Sequence, residues 1–183
     1  MRVLKFGGTS VGSVDSIRQI QHIIGQQTDD CIVVVSALGG ITDQLLKAAH
    51  LALEAGEEYM EVYQAIRCRH MDMVNTLITN PTTRQMLCLE LEGILDELRS
   101  ILFGVHLVKD LSDKTEAAIV SYGERMSSRI VTAALPGAVR KNSLHFIRTE
   151  HKQGQVLLNT ELTEALVHKT FATMPHLAVV PGF

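Results

Sequence analysis

The order of apolar segments predicts an α/β protein, a three-layer α/β/α sandwich around a mainly parallel sheet. Three observations carry this. A strand pattern, a helical repeat and a second strand follow one another within the first 35 residues. The second strand is apolar on both faces, as an interior parallel strand must be. After a long helical stretch, the alternation resumes near the carboxyl end.

Arg2 to Phe6 is short, partly apolar and stopped by Gly7-Gly8, which reads as a strand feeding a glycine loop. Ile17, Ile20, Ile23 and Ile24 keep a helical period, with Ser13 or Asp15 as the cap, and Asp29-Asp30 ends it. Cys31 to Val35 is the β-branched second strand and completes a βαβ unit. Four long helical segments follow, at about 43–55, 57–79, 82–104 and 113–135, with Asn80-Pro81 separating the second from the third. They form a helical excursion over about 43–135. Leu144 to Ile147 reads as a strand, Thr160 to Thr173 as a helix and Leu177 to Val180 as a buried strand. No repeat, low-complexity tract or linker interrupts the pattern, so 183 residues read as one domain.

With 46% hydrophobic and 20% charged residues, the chain has the composition of a packed globular protein. The net charge is -3 and the basic residues are scattered, which argues against nucleic acid or an anionic membrane as partner and for a small molecule. Cys31, Cys68 and Cys88 form no CxxC pair, which fits a reducing cytoplasm. No signal-peptide core or membrane-length apolar run is present. The eight histidines include no HExxH, and Cys68-Arg69-His70 lacks the partners of a metal site, so no metal ligand set is expected. The apolar positions between Met86 and Leu102 read as core or a subunit contact.

The segment Gly7-Gly8-Thr9-Ser10-Val11-Gly12 lies between a strand and a helix, where backbone amides, a helix amino terminus and Lys5 can converge on a phosphate. It matches neither GxxxxGK[ST] nor GxGxxG. Taken alone, it fits an ordinary tight turn equally well. Likewise Ser36 and Thr42 alone are turn and cap residues, and Glu124 alone is a helix-surface acid paired to Arg125 or Lys114.

Three stretches in order change that balance. Lys5-Phe6-Gly7-Gly8-Thr9-Ser10 after an amino-terminal strand resembles the aspartokinases of the amino-acid kinase superfamily. Ser36-Ala37-Leu38-Gly39-Gly40-Ile41-Thr42-Asp43 resembles the family's Val-Ser-Ala-x-x-x-x-Thr-Asn stretch, with Asp43 in place of asparagine. Ser121-Tyr122-Gly123-Glu124-Arg125-Met126-Ser127 resembles its Ser-x-Gly-Glu-x-x-Ser, and the end at Gly182-Phe183 resembles a strand closing in Gly-Phe, with Pro181 a departure.

The resemblance implies an amino-acid kinase-like fold and transfer of the ATP γ-phosphoryl group to the side-chain carboxylate of L-aspartate. The product is 4-phospho-L-aspartate, used for lysine, threonine and methionine. It implies Lys5 as the catalytic cation, Lys5, Gly7, Gly8 and Ser10 as phosphate or ATP contacts, and Mg2+ as the accompanying ion. Ser36, Thr42, Glu124, Gly182 and Phe183 become the aspartate pocket, with Glu124 meeting the substrate ammonium. An aspartate carboxyl titrates near pH ~3.9, so the nucleophile is ionised at neutral pH and needs no general base.

The family continues with a Gly-Arg-Gly-Gly-Ser-Asp stretch, an adenine-binding segment and regulatory ACT domains, none of which occurs here. Residues 1–183 are therefore expected to be the amino-terminal, aspartate-binding part of a catalytic domain, inactive as a kinase alone. The alternatives are a bifunctional aspartokinase/homoserine dehydrogenase parent, or a non-catalytic ligand-binding or oligomerisation domain. The reading leaves a homodimer open.

Overall fold

The computed structural model describes residues 1–152 and 155–182. The elements in chain order are β1 (Arg2–Phe6), α1 (Val14–Gly25), β2 (Cys31–Val35), α2 (Ile41–Leu51), α3 (Glu58–Leu77), α4 (Pro81–Val108) and α5 (Asp113–Ala134). After these come β3 (Val139–Arg140), a 3-10 turn (Ser143–His145), β4 (Thr149–Lys152), β5 (Gln155–Leu158), α6 (Thr160–Thr170) and β6 (Leu177–Pro181).

Four strands make a parallel sheet in the order β1-β2-β6-β3. Arg2 to Phe6 run beside Cys31 to Val35, which run beside Leu177 to Pro181. Alternate residues of a strand point to opposite faces. Leu4, Phe6, Val33, Val35, Leu177 and Val179 therefore share one face, and they pack into the core made by the helices. The opposite face carries Val3, Lys5, Ile32, Val34 and Val180. There α6 and the segment before it cover the sheet loosely, leaving an apolar groove edged by Phe146, Val167 and Phe171. The third layer is present but thin.

The four expected long helices form one cluster: α2 packs on α3 and α5, and α4 on α3 and α5. Local chemistry sets their ends. Asn80 accepts from the amide of Thr83 with Pro81 opening α4, and Ser112 accepts from the amide of Thr115 to start α5. Lys109, at φ 56°, closes α4 in the left-handed region. Arg67 of α3 clasps Glu92 of α4, while Arg125 and Arg129 of α5 pair with Glu97 and Glu90 of α4. Half-exposed pairs of this kind contribute little beyond orientation.

Two features differ from expectation. Leu144 to Ile147 is not a strand: Asn142 caps a 3-10 turn over Ser143–His145, and the amides of Phe146 and Ile147 both bond back to Ser143. Only Phe146 of the four is buried, edge-to-face on Phe171 at 5.5 Å. The edge position of the sheet belongs instead to the two-residue β3, whose Val139 pairs with Ala178. The antiparallel β4-β5 hairpin was not expected either. Its Thr-Glu-His-Lys and Gln-Val-Leu-Leu strands are too polar or too exposed to stand out.

His70 is fully buried in α3. Its Nδ1–H donates to the Ile66 carbonyl at 2.7 Å, while Nε2 has no partner among the described residues. Burial, opposed by that hydrogen bond and reinforced by the charge of Arg69, pushes its pKa from 6.5 down to about 4. An unfolded chain therefore binds a proton at His70 that the folded chain refuses. The stabilisation is complete above pH 6.5 and declines as pH falls to about 4, by roughly 3 kcal/mol in all. Urea unfolding across that window should show this loss in the wild type and a flatter profile in His70→Met.

Candidate active site

The carboxyl ends of β1 and β2 open onto two loops, and β6 ends beside them in Gly182, the position where ligands bind in parallel sheets. Backbone hydrogen bonds hold them together. The amide of Ser36 donates to Phe6 at 3.1 Å, and that of Gly182 to Val35 at 2.8 Å. A Cβ on Gly182 would sit 3.0 Å from the Val35 carbonyl, so glycine permits this approach. Pro181 is tolerated because Gly182 turns its N–H toward β2, which points the nitrogen of Pro181 the other way, where β3 has already ended.

The first two loops meet glycine to glycine. A Cβ on Gly39 or on Gly12 would lie 3.1 Å from the Gly8 carbonyl, and one on Gly8 would lie 3.3 Å from the Ala37 carbonyl. Gly7 is different: a side chain there would meet nothing within 4 Å, so packing inside this chain gives no reason for glycine. The amides of Ser10, Val11 and Gly12 are consumed in turns, on Gly7 for the first two and on Thr9 for the third. Among the described residues, those of Gly8 and Thr9 keep no backbone acceptor.

Which helix terminus is available differs from the sequence reading. The start of α1 is occupied, since Ser13 caps it by accepting from the amide of Ser16 at 3.1 Å. The start of α2 is open: its cap is Gly40, at φ 79°, with no side-chain hydrogen bond. Its first turn carries half-buried Thr42 and exposed Asp43, an acid well placed for the helix dipole.

Helix α5 supplies the rest. Gly123, Glu124 and Ser127 lie on one face of it. Ser127 Oγ donates to the Ser36 carbonyl at 2.7 Å. The Ala37 amide donates to the Glu124 carboxylate, whose Oε2 has no partner among the described residues. Glu124 is only 8% exposed, and burial raises its pKa against the lowering effect of the amide bonds. A buried, half-satisfied carboxylate is a receptor for a cation or a hydrogen-bond donor.

Lys5 lies opposite Val34 in register, on the sheet face away from α5. It is exposed and has no ion pair or hydrogen bond among the described residues. Lys5 and Glu124 can therefore serve one ligand only above the strand ends. Ser36 and Thr42 join Glu124 around the second loop, Gly7, Gly8 and Ser10 belong to the first, and Gly182 lies against Val35, where the second begins; Phe183 lies outside the described residues. Sequence reasoning passed over Arg69, whose Nη2 donates to the Gly12 carbonyl at 3.3 Å and whose Nη1 lies near Gly40. Its only sequence signal is a cation at the helical position before His70.

Comparisons with known proteins give the family and the fold. Residues 1–183 match the model of the amino acid kinase family. The chain is 32% identical over 137 residues to Aspartokinase 2, chloroplastic, of Arabidopsis thaliana, covering 73% of this chain and 24% of that protein. It is 30% identical over 141 residues to the bifunctional aspartokinase/homoserine dehydrogenase of Buchnera aphidicola, covering 74% and 17%. The structure of E. coli aspartokinase III with lysine and aspartate superposes with a TM-score of 0.82 at 24% identity, over 99% of this chain and 40% of that one. The same enzyme with aspartate and ADP gives 0.82 at 23%, over 100% and 40%. At those identities the likeness is one of fold. The chain thus spans about a quarter of the length of the plant relative.

The seat of α5 can be probed directly. A Cβ on Gly123 would come within 2.6 Å of the Ala37 Cβ. An ordinary mid-helix Gly→Ala change stabilises by up to about 1 kcal/mol. Gly123→Ala should instead destabilise by about 1–3 kcal/mol through overpacking. Ala37→Gly in the same chain should recover at least half, as read from urea unfolding.

Proposed function

The chain belongs to the amino acid kinase family, and on that premise we propose that it is the aspartate-binding part of an aspartokinase catalytic domain. The observation that carries this reading is the Glu124 carboxylate, buried beside the Ala37 amide with one oxygen unpartnered. The ammonium of L-aspartate supplies the missing partner, and desolvation strengthens the pair. The open start of α2, with Thr42, offers uncapped amides to a carboxylate of the same molecule, although exposed Asp43 in that turn opposes its charge. Ser36 and Gly182 border the same place, and Phe183 is assigned to the pocket by sequence resemblance alone.

In the proposed reaction, a side-chain carboxylate oxygen of aspartate forms a bond to the γ-phosphorus of ATP as the bond from that phosphorus to ADP breaks. Catalysis then consists of alignment and charge neutralisation. Lys5 brings a mobile ammonium to the strand ends, and the amides of Gly8 and Thr9 face charge on the phosphoryl oxygens. The open space over Gly7 lets a phosphate approach the backbone; Ser10 lies in the same loop. Among the described residues, no three His, Cys, Asp or Glu side chains gather into a metal site, and Mg2+ usually needs only one or two carboxylates beside nucleotide phosphates. The ion would arrive on the nucleotide. Three free cysteines, one of them exposed, suit a reducing compartment such as the cytoplasm. No described helix is long and apolar enough to cross a membrane.

Calorimetric titration with L-aspartate tests the reading. The wild-type chain should bind, and Glu124→Gln should weaken binding by about tenfold or more, the loss of a charge-assisted pair. The same substitution should raise stability at pH 7 by about 1 kcal/mol, because a buried carboxylate that lacks a partner opposes folding. With its folded pKa raised, Glu124 favours the native state at low pH and loses that contribution as pH rises, so the gap should widen upward. Equal aspartate affinity in Glu124→Gln, or a less stable variant at pH 7, contradicts the assignment.

A further inference from the structure

A second set of charges lies where α4 and α5 meet the edge strand β3, and it shares no residue with the loop cluster. Arg125 is neutralised by Glu97 at 2.7 Å and Arg129 by Glu90 at 2.5 Å. Arg140, half-buried on β3, has no hydrogen bond or ion pair among the described residues. The carboxylate that acts on it, Glu90, is already engaged by Arg129. Burial and then the positive charge of Arg129 hold its pKa below the usual guanidinium value, but arginine stays protonated. The fold thus keeps a partly desolvated cation without a counter-ion.

Arg140 and Arg129 line a cleft of about 700 Å³, within the range of small-molecule sites, roughly 300–1,000 Å³. Its other wall is apolar: Met86 and Leu89 are 64% and 63% exposed on α4, one helical turn apart. Thr82, in the first turn of α4, adds a hydroxyl, and that turn contains no acidic residue to oppose an anion. Unpaired guanidinium and exposed methyl groups call for opposite ends of one ligand.

We propose that this cleft binds a small carboxylate with a short aliphatic tail, its head paired to Arg140 and its tail laid on Met86 and Leu89. A guanidinium fork matches a carboxylate in a bidentate way, and the tail removes apolar surface from water. A neutral isostere loses the head contact, and a bare anion loses the tail contact.

The test is titration of the 183-residue chain with isocaproate, followed by amide NMR, with isocaproamide and inorganic phosphate as separate arms. The proposal expects saturable shifts confined to the start of α4, the end of α5 and β3. It expects affinity about tenfold weaker in Arg140→Gln. Glu90→Gln, which removes the competing internal carboxylate, should bind isocaproate about twofold or more tighter. Isocaproamide should bind at least about tenfold more weakly than isocaproate in the unaltered chain, a comparison that needs no variant to fold. Absence of saturable binding, equal affinity for the amide, equal affinity in Arg140→Gln, or phosphate binding as tightly as isocaproate would each overturn it.

Discussion

The seating of α5 on the loop after β2 is the constraint from which the site follows. Gly123 removes the side chain that would strike Ala37, Ser127 ties the helix to the Ser36 carbonyl, and the Ala37 amide reaches the Glu124 carboxylate. These contacts involve three residues on one face of α5, Gly123, Glu124 and Ser127, and two adjoining loop residues. They decide where Glu124 stands, how deep it lies and which of its oxygens is left over. The glycine contacts between the first and second loops then carry that placement across to the phosphate side. Tilting α5 would displace both halves together.

Such a site works against the fold that holds it. Hydrophobic burial across the helices and the parallel sheet favours folding without regard to Glu124, whereas a desolvated carboxylate with a spare oxygen opposes it. The open start of α2 and Lys5 are further groups for which the described residues provide no partner. Polar groups left unsatisfied at one end of the sheet, within a chain whose core is otherwise well closed, mark the place where a ligand contributes what the protein omits. Arg140 has the same character at the far smaller scale of one cation beside an apolar wall.

Much of this was legible in the sequence, for physical reasons that differ by element. β2 and β6 stood out because interior strands are apolar on both faces, β1 because Gly7-Gly8 stops it, and the long helices because of their helical period, with Asn80-Pro81 dividing the second from the third. The 3-10 turn at Ser143–His145 was misread as a strand because apolar residues at Leu144, Phe146 and Ile147 look strand-like unless the Asn142 cap is weighed. The β4-β5 hairpin escaped because Gln155 to Leu158 is exposed throughout and Thr149 to Lys152 is polar, with no apolar alternation. At the site, residue types and order pointed to Glu124, Ser36 and Thr42. The sequence offered Ser13 as a cap for α1, as observed, but carried no sign that α2 starts open at Gly40. Nor could it show that Lys5 and Glu124 stand on opposite faces of the sheet, which depends on register.

The most direct measurement is the titration of the Glu124 carboxyl by carbon NMR, with and without L-aspartate. The account predicts a midpoint above the ordinary value of 4.5 in the free chain, raised by burial, and a fall when the ligand's ammonium takes the unpartnered oxygen. A midpoint at or below the ordinary value, unmoved by L-aspartate, would contradict it.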